Sequence, residues 1–156
     1  MPRVSASVVV DATIDEVAQF YDSLEGLVEL TPSWLHPTVA VVGDGDPSAL
    51  AEGVQFRFTV RPFGMGPRQD FVAEIIERDI GPSGGYIQDE LVAGPFEAWT
   101  HRRSFRPCSA GVRITDDICF RQPSGGVLGA IAVPILLEGM FVHRHRQLQR
   151  RFAQSS

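Results

Sequence analysis

Between residues 38 and 122 the chain offers six strand-like segments in succession with no helix-forming stretch between them, and this restricts the fold more than any other feature. The segments are 38–43, 54–61, 69–79, 85–92, 96–106 and 111–121. They are separated by turn chemistry: Gly43 to Gly53, the Pro62-Phe63-Gly64-Met65-Gly66-Pro67 loop, Gly81 to Gly85, Gly94-Pro95, and Pro107 to Gly111. Parallel neighbours would need crossover connections, usually helical, so these spacings predict hairpins and an antiparallel meander. A seventh strand precedes them over 4–10, where Val4, Ala6, Val8 and Val10 alternate with Ser5 and Ser7.

Helical signals lie only at the two ends. Thr13 followed by Glu16 forms a capping box, and Ile14, Val17, Ala18, Tyr21 and Leu24 recur at helical spacing, predicting a short helix from Ile14. A second short helix runs to Leu30 and is closed by Pro32. After Pro123-Ser124-Gly125-Gly126 an apolar stretch leads into Pro134, which suits a first helical position, and the main helix is placed over 134–152. At 100° per residue Leu137, Met140, Phe141, Leu148 and Phe152 share one face, with Arg144 near its centre and His145 at its edge. The expected architecture is α+β: a seven-stranded antiparallel sheet curved around a long C-terminal helix, with two short helices after the first strand, in one domain over 1–156.

Charge narrows the partners. Residues 1–99 hold five Arg against sixteen acids, and residues 100–156 hold nine Arg against Asp116, Asp117 and Glu138. The net charge of −5 does not suit a nucleic-acid binder, and the Arg-rich run His143-Arg144-His145-Arg146 with Arg150 and Arg151 is spread around the helix rather than gathered into a patch. The N-terminal residues lack the features of a secretory signal, giving a cytoplasmic expectation. The longest apolar stretch, Val127 to Val142, carries Pro134 and Glu138 and is short of a membrane span. Cys108 and Cys119 make no disulfide framework, and with the scattered His they give no zinc spacing, so neither metal nor cofactor is expected. No phosphate loop or nucleophile elbow is present.

Alternation sorts the late strands into faces. Trp99, His101, Arg103 and Phe105 share one side of 96–106, and Val112, Ile114, Asp116, Ile118 and Phe120 share the apolar side of 111–121. In 85–92 either Ile87, Asp89 and Leu91 face inward or, if the strand is bulged, Tyr86, Gln88 and Glu90 do. Asp116 is the anomaly. A carboxylate on an apolar face needs a cation or a proton, and Arg144, His101, Arg103 and His145 are available. Arg144 is predicted to point inward and to contact Asp116 or Asp89. Three roles are open for the group: an internal ion pair that fixes the helix on the sheet, a polar anchor for a ligand, or acid–base catalysis with His101.

The runs Leu30-Thr31-Pro32-Ser33-Trp34-Leu35 and Gly94-Pro95-Phe96-Glu97-Ala98-Trp99-Thr100-His101, with Phe141 through Arg144-His145 to Leu148, Thr115-Asp116, and Pro123 followed by Leu128-Gly129, resemble the bacterial ligand-binding branch of the START-like (SRPBCC) superfamily, which includes polyketide cyclase/dehydrase-like proteins. The resemblance covers nearly the whole chain in order. Arg103 departs from it, standing where relatives often carry a second His two positions after the first. The resemblance implies a helix-grip fold with an apolar cavity between sheet and helix, holding a lipid, polyketide or other aromatic or hydrophobic molecule. Its alternatives are a cyclase, dehydratase or hydrolase using the same cavity, and an interaction module without a ligand.

The candidate ligand-binding residues are Phe56, Phe58, Asp89, Trp99, His101, Arg103, Phe105, Asp116, Phe120, Met140, Phe141 and Arg144, although aromatic residues of this kind also simply fill cores. Trp34 reads as an anchor for the preceding helix end, with ligand contact the other option. The Phe63-Gly64-Met65-Gly66 loop is either a cavity rim or a tucked turn.

Overall fold

The alternating N-terminal segment forms β1 (Arg3–Val10), and Thr13 starts α1 (Ile14–Tyr21). The computed structural model of the chain describes residues 3–44, 46, 50–65, 68–94, 96–121 and 127–153, with the backbone alone at 62, 127–137 and 153. The remaining elements are α2 (Leu24–Glu29), β2 (Thr38–Val42), β3 (Gln55–Val60), β4 (Gln69–Gly81), β5 (Gly84–Ala93), β6 (Ala98–Cys108), β7 (Gly111–Arg121) and α3 (Val127–Ala153), with short 3₁₀ turns at Ser33–Leu35 and Pro62–Gly64. The seven strands form a single antiparallel sheet in the order β1-β7-β6-β5-β4-β3-β2. Every neighbour from β2 to β7 is a hairpin partner. The exception is β1, which closes on β7 with Arg3 opposite Cys119 and Val10 opposite Val112.

The reciprocal capping box is formed: Thr13 accepts from the Glu16 amide, and the Glu16 carboxylate accepts from the Thr13 amide. It holds α1 so that Ile14, Val17, Phe20 and Tyr21 are buried. α1 then contacts β6, and α2 contacts β2, so the two short helices carry the chain from one edge of the sheet to the other. His36, at φ 47°, turns the chain out of the 3₁₀ segment.

α3 begins at Val127, about two turns before the expected start at Pro134. The Val-Leu-Gly-Ala-Ile-Ala-Val run ahead of that proline belongs to the helix, and Pro134 sits inside it. A proline within a helix removes one backbone hydrogen bond without obliging the helix to start there. Farther along, Phe141, Arg144, Leu148 and Phe152 are buried on one face as the periodicity requires. Leu137, assigned to the same face from sequence, has no described side chain. Pro95 and the segment Pro123 to Gly126 lie outside the described residues, as do Gly66 and Pro67 of the glycine-rich loop.

Two clusters fill most of the interior. The larger joins Val8, Val10, Ile14, Val17, Phe20, Tyr21, Phe105, Val112, Ile114, Leu148 and Phe152, so α1 and the end of α3 are pressed against β1, β6 and β7. The smaller joins Ile118, Phe120 and Phe141. Each fully buried Leu, Val or Phe contributes roughly 1.5–3 kcal/mol relative to exposure, so these contacts decide where the helices sit. Tyr86, Gln88 and Glu90 face away from them: Arg102 lies over the Tyr86 ring and donates to Gln88. Ile87, Asp89 and Leu91 are therefore the inner set of β5. Cys108 and Cys119 stand at opposite ends of the β6–β7 hairpin, paired with Gly111 and Thr100.

Candidate functional site

Where neither α1 nor the end of α3 fills the concave face, a cavity of about 710 Å³ remains between the sheet and the middle of α3. Its walls come from alternate positions of successive strands: Phe56, Phe58 and Val60 of β3, Phe71, Ala73 and Ile75 of β4, Ile87, Asp89 and Leu91 of β5, and Trp99, His101 and Arg103 of β6. Gly139, Met140, Phe141, His143 and Arg144 of α3 close the other side. Pro32, Trp34 and Leu35 also line it. Trp34 stacks on Phe63 at 5.2 Å between ring centroids, and Phe63 and Met65 are 69% and 85% exposed, so the described part of the loop is exposed and is not tucked in.

A polar cluster occupies one end. Its members follow from register: Asp89 is opposite His101, Ile87 opposite Arg103, and Arg103 opposite Asp116, which has the small Ala6 on its other side. Asp116 is 0% exposed. Its Oδ1 accepts from His101 Nε2 at 2.7 Å and Arg103 Nε at 3.1 Å, while Arg144 Nη1 stands 3.5 Å away in ion-pair range. Arg144 is 7% exposed and so points inward as its helix position demands. The Arg103 guanidinium also lies 4.4 Å over the Tyr21 ring, a favourable cation–π position.

The two carboxylates of this end are electrostatic opposites. Burial pushes the Asp116 carboxyl upward, but the hydrogen bond from His101 and the charges of Arg103 and Arg144 outweigh it and hold the group well below the usual carboxylate range. Asp89 faces the same cations from the cavity wall, and there burial wins and its carboxyl is raised. Burial also lowers Arg144, against the pull of Asp116, and raises the Tyr21 phenol. Among the described residues Asp116 Oδ2, Arg144 Nε and Nη1, His145 Nε2 and the Tyr21 hydroxyl are buried without a hydrogen-bond partner.

Nine of the twelve residues singled out from sequence stand on the cavity wall: Phe56, Phe58, Asp89, Trp99, His101, Arg103, Met140, Phe141 and Arg144. Phe105, Phe120 and Asp116 do not. Phe105 packs against Tyr21, and Phe120 against Phe96 and Trp99, so both point inward into filled space. Asp116 lies behind His101, Arg103 and Arg144. Sequence reasoning missed Phe71, Ala73 and Ile75, whose alternation along β4 is as legible as that of β6. It also missed Tyr21 and Phe96, which nothing in a single sequence places at the wall. No group of three His, Cys, Asp or Glu among the described residues could hold a metal ion, and no described helix is long and apolar enough to cross a membrane.

The arrangement is the helix-grip fold of Bet v1-like proteins. CV1439 from Chromobacterium violaceum is similar in structure with a TM-score of 0.71 at 16% identity, over 97% of this chain and 98% of that one. TTHA0849 from Thermus thermophilus gives 0.71 at 18% identity over 99% of both chains. The ginseng major latex-like protein 151 from Panax ginseng gives 0.69 at 10% identity over 97% of both. At these identities the likeness is one of fold. No curated protein matches the sequence. Residues 8–152 match the family described as "Domain of unknown function (DUF8410)".

Proposed function

The chain belongs to that family of unknown function, and we propose that it binds a small, mostly apolar molecule in the cavity between the sheet and α3. The observation that carries this reading is a cavity of about 710 Å³ with aromatic and aliphatic walls and a few polar groups gathered at one end. Sites for such molecules usually enclose roughly 300–1,000 Å³ and are built in this way. The neighbouring packed clusters show that this chain has the residues to fill space, so the empty volume is selective and counts against a ligand-free interaction module.

A specific observation favours a second reading, in which the same cavity acts as a cyclase, dehydratase or hydrolase. Asp89, whose carboxyl is raised by burial, stands opposite His101, which sets a carboxyl and an imidazole, two groups able to move protons, on the same wall. In that reading turnover of a bound molecule is lost in His101→Ala while its binding persists.

The binding reading is tested by titrating the neutral fluorophore N-phenyl-1-naphthylamine into the wild-type protein and an Ala73→Trp variant. Ala73 is a small residue on the cavity wall, so a large side chain there takes up volume that a ligand would use. We expect saturable fluorescence in the wild type and at least about tenfold weaker binding in the variant. Equal fluorescence in both proteins would place the fluorophore elsewhere, and none in the wild type would refute an accessible cavity.

A further inference from the structure

We propose that the molecule held in the cavity is an amphiphilic acid, and that its carboxylate is taken by the Arg144 guanidinium at the polar end. This rests on the reading of the cavity as a binding site and gives that ligand a chemical class.

Among the described residues Arg144 leaves two of its donors without a hydrogen-bond partner. Its side chain is 7% exposed and stands on the cavity wall, yet among the described residues neither Nε nor Nη1 has an acceptor. The adjacent carboxylate oxygen is already engaged: Asp116 Oδ1 accepts from His101 and Arg103, and Arg144 Nη1 remains 3.5 Å away without forming a hydrogen bond. A guanidinium cannot shed its charge, so it retains donors that require an acceptor. A ligand carboxylate at the wall supplies an acceptor of the charge that this guanidinium calls for.

Charge points the same way. Arg103 and Arg144 face the single firmly ionised carboxylate of Asp116, which leaves one positive charge in excess. Asp89, the other carboxylate of the wall, is raised by burial and makes no ion pair with either guanidinium among the described residues. A monoanion balances the group. A neutral alcohol leaves the excess in place, and a dianion such as a phosphate monoester overshoots it. The rest of the wall, from Phe58 and Phe71 to Trp99 and Met140, offers only apolar contact, so the acid must carry a hydrophobic body.

The test uses matched tails. Dodecanoate, dodecanol and methyl dodecanoate are titrated against N-phenyl-1-naphthylamine bound to the wild-type protein and to Arg144→Gln at mildly alkaline pH. We expect dodecanoate to displace the fluorophore from the wild type at about tenfold or more lower concentration than dodecanol, as a charge-assisted hydrogen bond would give. In Arg144→Gln that gap should close while dodecanol changes by less than about threefold. Dodecanol equal to dodecanoate in the wild type would overturn the acid preference and leave the cavity reading standing, as would an Arg144 that simply closes onto Asp116 Oδ2. A fluorophore that never enters would overturn both.

Should Arg144→Gln fail to fold, the wild type alone still decides. The NMR shift of an isotope-labelled dodecanoate carboxyl carbon reports its ionisation when bound. The proposal requires the bound carboxylate to stay ionised at acid pH where the free acid is protonated. A bound acid that titrates like the free one, or is neutral at pH 7, overturns it.

Discussion

Strands β6 and β7 carry the same alternation from end to end, yet their two ends meet different surroundings. At one end Phe105, Val112 and Ile114 are sealed in a cluster with Tyr21 and Leu148. At the other, Trp99 joins Phe58 of β3 and Phe71 of β4 around open space. Alternation decides which way a side chain faces. Whether anything meets it there is decided by the layer opposite, and α1 together with the last turns of α3 covers only part of the sheet. Asp116 and Asp89 show the same contrast in charge: the first is enclosed and held through Oδ1 by His101 and Arg103 with Arg144 beside it, the second borders the cavity and is raised by burial.

The enclosed side can be broken most severely at Asp116. Replacement by Ala leaves Arg103 and Arg144 buried beside an uncharged methyl group and should cost about 3–5 kcal/mol, measured as a fall in urea midpoint at constant slope. Arg144→Met should cost less, because Asp116 keeps two donors. Adding Asp116→Leu to it should recover little, since His101 and Arg103 would then lose their acceptor. A recovery to near wild-type stability would show that Arg144 and Asp116 form an isolated pair.

Next in size is the difference between filled and open apolar positions. Leu148 is 0% exposed, and Leu148→Ala should cost about 2–5 kcal/mol by leaving a void in the packed cluster. Phe58→Ala only enlarges an existing space and should cost about 1 kcal/mol while changing the affinity for an apolar probe. Equal losses in the two variants would mean that the space around Phe58 is filled in solution.

The smallest effect has the clearest sign. Asp116 is depressed below its unfolded value, so its contribution is present above about pH 4 and is lost as the pH falls toward the folded value. Asp89 is raised, so it favours the folded state in acid and loses that contribution as the pH rises through its folded value. At pH 7 Asp116→Asn should therefore be less stable than the wild type and Asp89→Asn more stable, the latter by about 1 kcal/mol or less. Both differences should shrink below pH 4 in chemical denaturation followed across the pH range.

How much of this was legible in the sequence follows from how local each cause is. The capping box at Thr13 and Glu16, the strand periods and the buried face at Phe141, Arg144 and Leu148 are set by neighbours within a few residues, and each stands where the pattern puts it. The approach of Arg144 to Asp116 was legible too, because an inward guanidinium and an inward carboxylate on an apolar face demand partners. The start of α3 was not, since Pro134 suits a helix interior at some cost as well as a helix start. Nor was the division of the aromatic residues into packing and cavity wall. Phe105 and Trp99 occupy equivalent positions on one strand, and only the path of α1, which brings Tyr21 over Phe105, separates them.

The closing of β1 on β7 sets the order in which the molecule can be completed. Arg3 pairs with Cys119 and Val10 with Val112, so the first strand to be synthesised has no neighbour until the last one exists. Contacts so distant along the chain are slow to form because their loop-closure entropy must be met before they stabilise anything. On a ribosome the β2–β7 meander can assemble hairpin by hairpin, while Val4, Ala6, Val8 and Val10 wait as an unpaired apolar edge of the kind that draws other strands. α3 emerges later still. The cavity has no second wall until that helix docks beside β1, so the pocket is among the last parts of the molecule to come into being.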